Sequence, residues 1–298
     1  MTDELLFLIT STNPMQKRSL DIARAQLTAD ESSGLERYIA YCMESGIGID
    51  KLAQAYNTIT TDTLREQIYF QRHGRYRCSK FSEVADAVYF NPEYMQSYML
   101  GLALTAYLWP NHLELSRFFE KSLPKLNTGN YLEVGPGHGL YLSKAIELSN
   151  FRSFHAIDIS ETSISLSRKI LDYQFSGRQG NWELYVADFL AGTLPLTQYD
   201  AIVMGEVLEH VEQPGEFLRR IRELSHDETF IFVTTAINAP AIDHIYLFES
   251  VEHVIELAEL HGLRCKDFLA TPYPGCAMDE TVARKLPINI ALVLSKKT

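Results

Sequence analysis

Apolar positions along the chain change their rhythm once, near residues 110–130. On the N-terminal side they recur at helical spacing. In "SSGLERYIAYCMESGIG", Leu35, Ile39, Tyr41, Cys42 and Met43 gather near one face, and Gly46 and Gly48 stop the pattern, which predicts an amphipathic helix. "IDKLAQAYN" predicts a short second helix. "TLREQIYF" carries Thr63 and Glu66 three apart, the spacing of a capping box, and predicts another helix start. "IYFQRHGRYRC" alternates apolar and polar residues around His73 and Gly74, as a β-hairpin would. Helix, turn, helix, hairpin is the order of a winged-helix module. "FNPEYMQSYMLGLALTAYLWP" predicts a longer helix, with Asn91 as cap, Pro92 in the first turn and Pro110 as terminator. It is apolar nearly all round, so it is expected to be buried between domains or subunits.

Beyond the change, short apolar runs alternate with helical segments, the signature of βαβ units. The strands read as "YLEV", "SFHAIDI", "WELYVAD", "YDAIVMG", "TFIFVTT", "CKDFLAT" and "NIALVLS". The last two lack a helical crossover of normal length and are expected to pair antiparallel. Two domains follow, a mostly helical, winged-helix-like one over 1–110 and an α/β one over 111–298.

Composition narrows the class. The 298 residues carry a net charge of −11, which weighs against a nucleic-acid partner. Cys42, Cys78, Cys265 and Cys276 form no CxxC pair and read as reduced, mostly buried thiols. The acidic start "MTDELLFLIT" is unlike a signal peptide, and no run approaches the ~20 apolar residues of a membrane helix. A cytoplasmic location is expected, away from membranes.

The chemistry gathers at "LEVGPGHGLYL", where an apolar run meets a helix. Gly135, Gly137 and Gly139 make GxGxG, and Leu140 stands where a dinucleotide turn would have its third glycine. Glu133 precedes the turn. A carboxylate there would repel a pyrophosphate and attract an ammonium group, as on S-adenosylmethionine. Three more acids end successive strands, at the edge where open α/β sheets bind ligands. Asp158, with Ile159 beside it, lies roughly 20 residues past the glycines, where an acid takes ribose hydroxyls. Asp188 can accept from an adenine amine, with Phe189 beside the ring, and Glu206 follows the fourth strand.

"EVGPGHG", "AIDIS", "VADF" and "EVLEHVEQP" resemble the successive motifs of class I S-adenosylmethionine-dependent methyltransferases, the last especially those of the ubiquinone-biosynthesis type. The resemblance covers roughly residues 112–298 and implies an α/β fold with a seven-stranded, Rossmann-like sheet, its last strand inserted antiparallel. S-adenosylmethionine would be the cofactor and S-adenosylhomocysteine its product. One departure is "SHDETF", where the family usually has a Gly-Gly pair before the fifth strand; a stiffer loop is expected there. The first domain is similar, by element order and by "GRYRCSKFSEVA", to the dimerisation domain of small-molecule O-methyltransferases. That likeness implies a homodimer whose helical domains help wall the substrate pocket.

Methyl transfer to a hydroxyl benefits from a base that titrates near neutrality. His210, four residues after Glu206, is the first candidate and matches the position of the base histidine in the small-molecule O-methyltransferases. A purely loop-shaping role is the rival reading. His244, in "NAPAIDHIYLF", is the second candidate, with Tyr246 nearby in a region that covers substrate in this fold. His138 is expected to pack near the cofactor without a catalytic role. Tyr107, Trp109 and His112 end the long apolar helix and could line an acceptor pocket or an ordinary interface. No metal-ligand cluster stands out. Arg65, Arg72, His73, Arg75, Arg77 and Lys80 surround the hairpin, where they could meet phosphates, form a solvated face, or dock an acidic carrier protein. Net acidity favours the last two. The function expected is methylation of a hydroxyl or amine on a small, secondary-metabolite acceptor. The alternatives are an acceptor on a carrier or peptide, and a DNA-binding regulator that senses the cofactor. A nicotinamide oxidoreductase is disfavoured by Glu133 and the glycine spacing.

Overall fold

A computed structural model describes residues 1–125, 128–177 and 180–297. The N-terminal part is helical: α1 (Thr2–Thr12), α2 (Lys17–Gln26), α3 (Ala29–Glu44), α4 (Ile49–His73), α5 (Phe81–Val84), α6 (Pro92–Leu108) and α7 (Pro110–Ser122). Thr28 and Glu31 form a capping box at the start of α3. Asn91 caps α6 through the Tyr94 amide, 3.1 Å away, and Pro92 opens the helix. Pro110 does more than end α6, since it also begins α7.

Two expectations fail here, for one reason. No glycine or proline interrupts residues 49–73, and Leu52, Ala53, Tyr56, Ile59, Thr60 and Phe70 keep a buried helical face throughout. The segment is therefore one 25-residue helix. Thr63 and Glu66 lie inside it, not at a cap. Gly74 is its left-handed C-terminal residue (φ +65°), donating to the Phe70 carbonyl, and not a hairpin turn. Among the described residues no strand precedes residue 130, so the winged-helix reading does not hold. Tyr76 packs on Phe70, and its hydroxyl accepts from the Ala239 amide at 3.1 Å, which docks the supposed wing onto the other half. The basic cluster is partly spent internally. Arg77 pairs with Glu66 at 3.0 Å and lies over the Tyr69 ring, and Arg65 pairs with Asp62.

The α/β part runs β1 (Asn130–Val134), α8 (Leu140–Leu148), β2 (Ser153–Asp158), α9 (Glu161–Gln174), β3 (Trp182–Val186), β4 (Tyr199–Gly205), α10 (Pro214–Glu223), β5 (Ser225–Ile237), α11 (Val251–Leu260), β6 (Leu263–Thr271), α12 (Met278–Ala283) and β7 (Ile288–Lys296). The strand order is β3-β2-β1-β4-β5-β7-β6, with β7 antiparallel to both neighbours. All seven strands lie where the apolar runs placed them. Only Leu224 separates α10 from β5, and a bulge over residues 226–229 absorbs "SHDETF" within the strand.

Alternating side chains bury both sheet faces. Leu132, Ile202 and Val233 pack with Leu218 and Val254 on one side; Tyr131, Val203 and Phe232 pack with Phe119, Leu142 and Leu171 on the other. A third core joins the halves: Leu5, Leu35, Tyr56, Leu100 and Leu104 of the helical part meet Leu140 and Ile170. Among the described residues no helix is long and apolar enough to cross a membrane.

Helix α6 approaches α4 closely at Gly101. A Cβ there would lie 2.6 Å from the Ile59 Cδ1 and 2.7 Å from the Ala55 carbonyl oxygen. Gly101→Val should therefore cost about 1–3 kcal/mol through overpacking. Urea denaturation checks this, and an unchanged midpoint would contradict the close packing.

Candidate active site

Strands β1 to β4 are parallel, so their C-terminal ends share one edge of the sheet. Between that edge and the helical part lies a cavity of about 1350 Å³. Its floor is the glycine turn. Gly135, Gly137 and Gly139 all have positive φ (+67°, +54° and +77°). Side chains are also excluded by space, since a Cβ on Gly135 would lie 2.6 Å from Val207 Cγ2 and one on Gly139 would meet Ser167. The Sδ of Met99 on α6 would stand 3.4 Å from a Cβ at Gly137, so the roof lies directly on the turn.

Asp158, Ile159, Asp188, Phe189 and Glu206 all line this cavity. Asp158 accepts from the amides of Ser160 (2.8 Å) and Gly137 (3.4 Å). Burial nevertheless raises its pKa to about 6. Asp188 accepts from the Leu190 amide at 2.8 Å, and Phe189 packs on Phe217. Glu133 behaves differently from the expectation. It shares the sheet face of Tyr131, whose hydroxyl donates to it at 2.6 Å, and it is not among the cavity-lining residues. Burial pushes its pKa up to about 8. The acid before the glycines thus faces Tyr131, away from the cavity.

Glu206 has a left-handed backbone (φ +50°), fixed by its amide donating to the Thr234 hydroxyl and carbonyl. Its carboxyl accepts from Asn289 at 3.3 Å and interacts with that of Glu209. Glu209 is fully buried and accepts from the Thr235 hydroxyl at 2.7 Å. Burial raises both carboxyls, and the Glu206 charge raises Glu209 further. Glu209 escaped the sequence reading, although it stands inside the quoted "EVLEHV".

Beside this pair the two candidate histidines meet. The amides of Ile245 and Tyr246 both donate to the Glu209 carbonyl (2.9 and 3.0 Å), fastening the segment after β5 to the turn after β4. His210 and His244 come edge to face, ring centres 4.7 Å apart, and both line the cavity. His244 Nδ1 lies 2.5 Å from the Ala239 carbonyl, and burial, with His210 next, lowers its pKa to about 3. His210 Nδ1 hydrogen-bonds to the Asp243 main-chain carbonyl at 3.2 Å and lies 3.3 Å from its carboxylate, which accepts from the hydroxyls of Tyr89 and Tyr98, each at 3.0 Å. Asp243, Tyr89 and Tyr98 carried no sequence signal, being scattered over 155 positions. The fold also gathers a possible cation site absent from any local spacing: ligand atoms of Glu209, His210 and His244 all lie within 4.8 Å of one another.

Tyr107, Trp109 and His112 line the cavity wall, each engaged by the protein. Tyr107 is packed in the helical core, Trp109 donates to the Tyr56 hydroxyl at 3.2 Å, and His112 Nδ1 meets the Thr105 hydroxyl at 3.0 Å. Burial lowers His112 and His138 to about 4, keeping both rings neutral. Tyr246 is not among the cavity-lining residues; its ring packs on Phe248 and its hydroxyl faces His253.

Residues 132–231 match the model of the methyltransferase domain family. Over those residues the chain carries a methyltransferase domain, set in a class I methyltransferase fold. Among curated proteins it is similar to the mitochondrial ubiquinone biosynthesis O-methyltransferases of Schizosaccharomyces pombe and Saccharomyces cerevisiae. The first is 28% identical over 128 residues, 42% of this chain and 44% of the relative. The second is 25% identical over 146 residues, 48% of this chain and 45% of the relative. The chain thus spans less than half the length of the curated relatives it matches. Its fold is similar to the N-methyltransferase NodS of Bradyrhizobium japonicum, solved with S-adenosyl-L-homocysteine (TM-score 0.50, 16% identity, 70% of this chain and 98% of that one). The cyclopropane synthase MmaA2 of Mycobacterium tuberculosis is similar too (TM-score 0.51, 12% identity, 63% and 85%).

The lining of the methyltransferase domain fits S-adenosylmethionine. Gly135 and Gly137 line the cavity, Asp158 can take two ribose hydroxyls, and Asp188 with Phe189 can hold an adenine. Asp158 must be ionised to accept from both hydroxyls, so affinity for S-adenosylhomocysteine should fall as pH drops through about 6. The loss should approach about tenfold per pH unit below that point. Asp158→Asn should bind roughly 10–100-fold more weakly and lack this pH dependence. Calorimetry between pH 5 and 8 checks both, and a flat wild-type profile would contradict the assignment.

Proposed function

We propose that the chain methylates a hydroxyl group of a small-molecule acceptor, consuming S-adenosylmethionine and releasing S-adenosylhomocysteine. The observation that carries this reading is that His210 and the glycine turn open onto one cavity. When bound, the cofactor supplies a methyl group on a sulfonium, activated for in-line displacement. The chain's own task is to orient the acceptor, exclude water and take its proton. His210 is the base of this reading, at Nε2, and His244 is the neutral ring packed against it. The curated relatives' names as O-methyltransferases support oxygen as the acceptor atom.

The cavity also supports a bulky, mostly apolar acceptor. It exceeds the roughly 300–1,000 Å³ of common ligand sites, and Ile59, Met95, Met99 and Leu102 of the roof line it beside Tyr107, Trp109 and His112. A secondary-metabolite acceptor, free or on a carrier protein, a homodimer formed through the helical part, and a cytoplasmic location complete the reading. Exposed Phe7 and Met15 are apolar surface that such a pairing would cover. A second reading is favoured by Glu209, His210 and His244, whose ligand atoms could hold a divalent cation that takes the acceptor oxygen.

The test is transfer of labelled methyl from the cofactor to a panel of phenolic and aliphatic hydroxyl compounds. His210→Ala should lower kcat by about 10²–10⁴-fold while the Kd for S-adenosylhomocysteine stays unchanged. Near-normal turnover would reject the base. Turnover abolished by a chelator and restored by Mg²⁺ or Zn²⁺ selects the second reading. Absence of any binding of S-adenosylmethionine would overturn both.

A further inference from the structure

The group that holds His210 in place comes from three separate parts of the chain. Asp243 follows β5, Tyr89 ends the turn after α5, and Tyr98 lies on α6. Asp243 is 1% exposed at its side chain, and no positive side chain of Lys or Arg pairs with it among the described residues. Its Oδ2 accepts from the Tyr89 hydroxyl and its Oδ1 from the Tyr98 hydroxyl, both at 3.0 Å. His210 Nδ1 hydrogen-bonds to the Asp243 main-chain carbonyl at 3.2 Å, and Oδ2 of the carboxylate stands 3.3 Å from the same nitrogen.

Both of the atoms facing Nδ1 are acceptors, so Nδ1 carries the proton and Nε2 holds the free lone pair. A phenol that donates to a buried carboxylate cannot easily ionise. Burial, and next the Asp243 charge, push Tyr89 and Tyr98 well above their ordinary range, so both stay donors. The Tyr89 ring stands perpendicular to that of His210, 6.3 Å between centres, and limits its rotation.

We infer that Asp243, clamped by Tyr89 and Tyr98, is the positioning residue that holds His210 with Nε2 toward the acceptor. The inference rests on the methyltransferase reading above for the role of His210, but the clamp itself is a property of the free protein. In the transfer, Nε2 takes the proton of the acceptor hydroxyl as its oxygen bonds to the methyl carbon. The carbon–sulfur bond breaks and its electron pair returns to sulfur. The imidazolium that results faces a carboxylate already fixed in place. The helical part thereby supplies two of the clamp's hydroxyls, and is tied to the reacting end of the cavity as well as to its walls.

The test has one readout that needs no acceptor. In ¹⁵N-labelled wild-type protein with S-adenosylhomocysteine, the His210 side chain should show a protonated Nδ1 with a downfield, slowly exchanging proton. Asp243→Asn keeps the carbonyl acceptor but removes the facing charge, and should move that resonance upfield, and Tyr89→Phe with Tyr98→Phe should weaken it, while the Kd for S-adenosylhomocysteine and the thermal midpoint change little. With an acceptor identified, Asp243→Asn should lower kcat by about 100-fold or more with KM nearly unchanged, and Asp243→Glu should recover part of it. Wild-type protein with the proton on Nε2, or an Asp243→Asn protein with an unaltered resonance, would overturn the clamp. If Asp243→Asn does not fold, the double tyrosine variant carries the same test, and an unaltered resonance there overturns the proposal equally. Failure to bind the cofactor product at all would count against the methyltransferase reading, and leaves the resonance of the free protein to judge the clamp.

Discussion

The site depends on one constraint, the burial of acidic side chains beneath helix α6 at the open edge of a parallel sheet. Asp158, Glu206, Glu209 and Asp243 gather at that edge, and the roof removes much of their water. A buried carboxylate costs several kcal/mol unless hydrogen bonds or a proton compensate. Each acid here is compensated in its own way. Asp158 has backbone amides and a pKa raised to about 6, the two glutamates are pushed toward their protonated forms, and Asp243 has two phenols. Asp158, Glu206 and Asp243 all line the cavity.

The roof follows from the chemistry of α6 itself. A helix apolar nearly all round has no face to give to water. Its Leu100 and Leu104 enter the core shared with α8 and α9, Gly101 lets it lie against α4, and Met99 rests over the glycine turn. The helical part is therefore joined to the methyltransferase domain by packing as well as by chain. A single strip of α6 touches the cofactor floor through Met99 and the clamp through Tyr98.

Much of the site was legible along the chain because its signals are local. Alternating apolar runs located seven strands, and a parallel sheet must then present the acids that follow those strands on one edge. GxGxG announced a turn that only glycine can make. Glu133 misled because adjacency in sequence is not adjacency in space: strand side chains alternate, and this one points behind the turn to Tyr131. The supposed hairpin at His73 and Gly74 misled because a glycine after an apolar run serves a helix end as well as a turn. Nothing short of the folded chain distinguishes them.

The sequence by itself determined the class of the fold, the cofactor turn, and the acids Asp158, Asp188 and Glu206 at the strand ends. It did so because period-two burial and left-handed glycines are constraints a few residues long. Only the tertiary structure decided that α4 runs unbroken, that Glu206 meets Glu209, and that His210 and His244 meet. It alone brought Tyr89, Tyr98 and Asp243 to one ring. Those contacts span up to 154 positions, and their energy comes from burying polar groups together, a quantity no short stretch of sequence records.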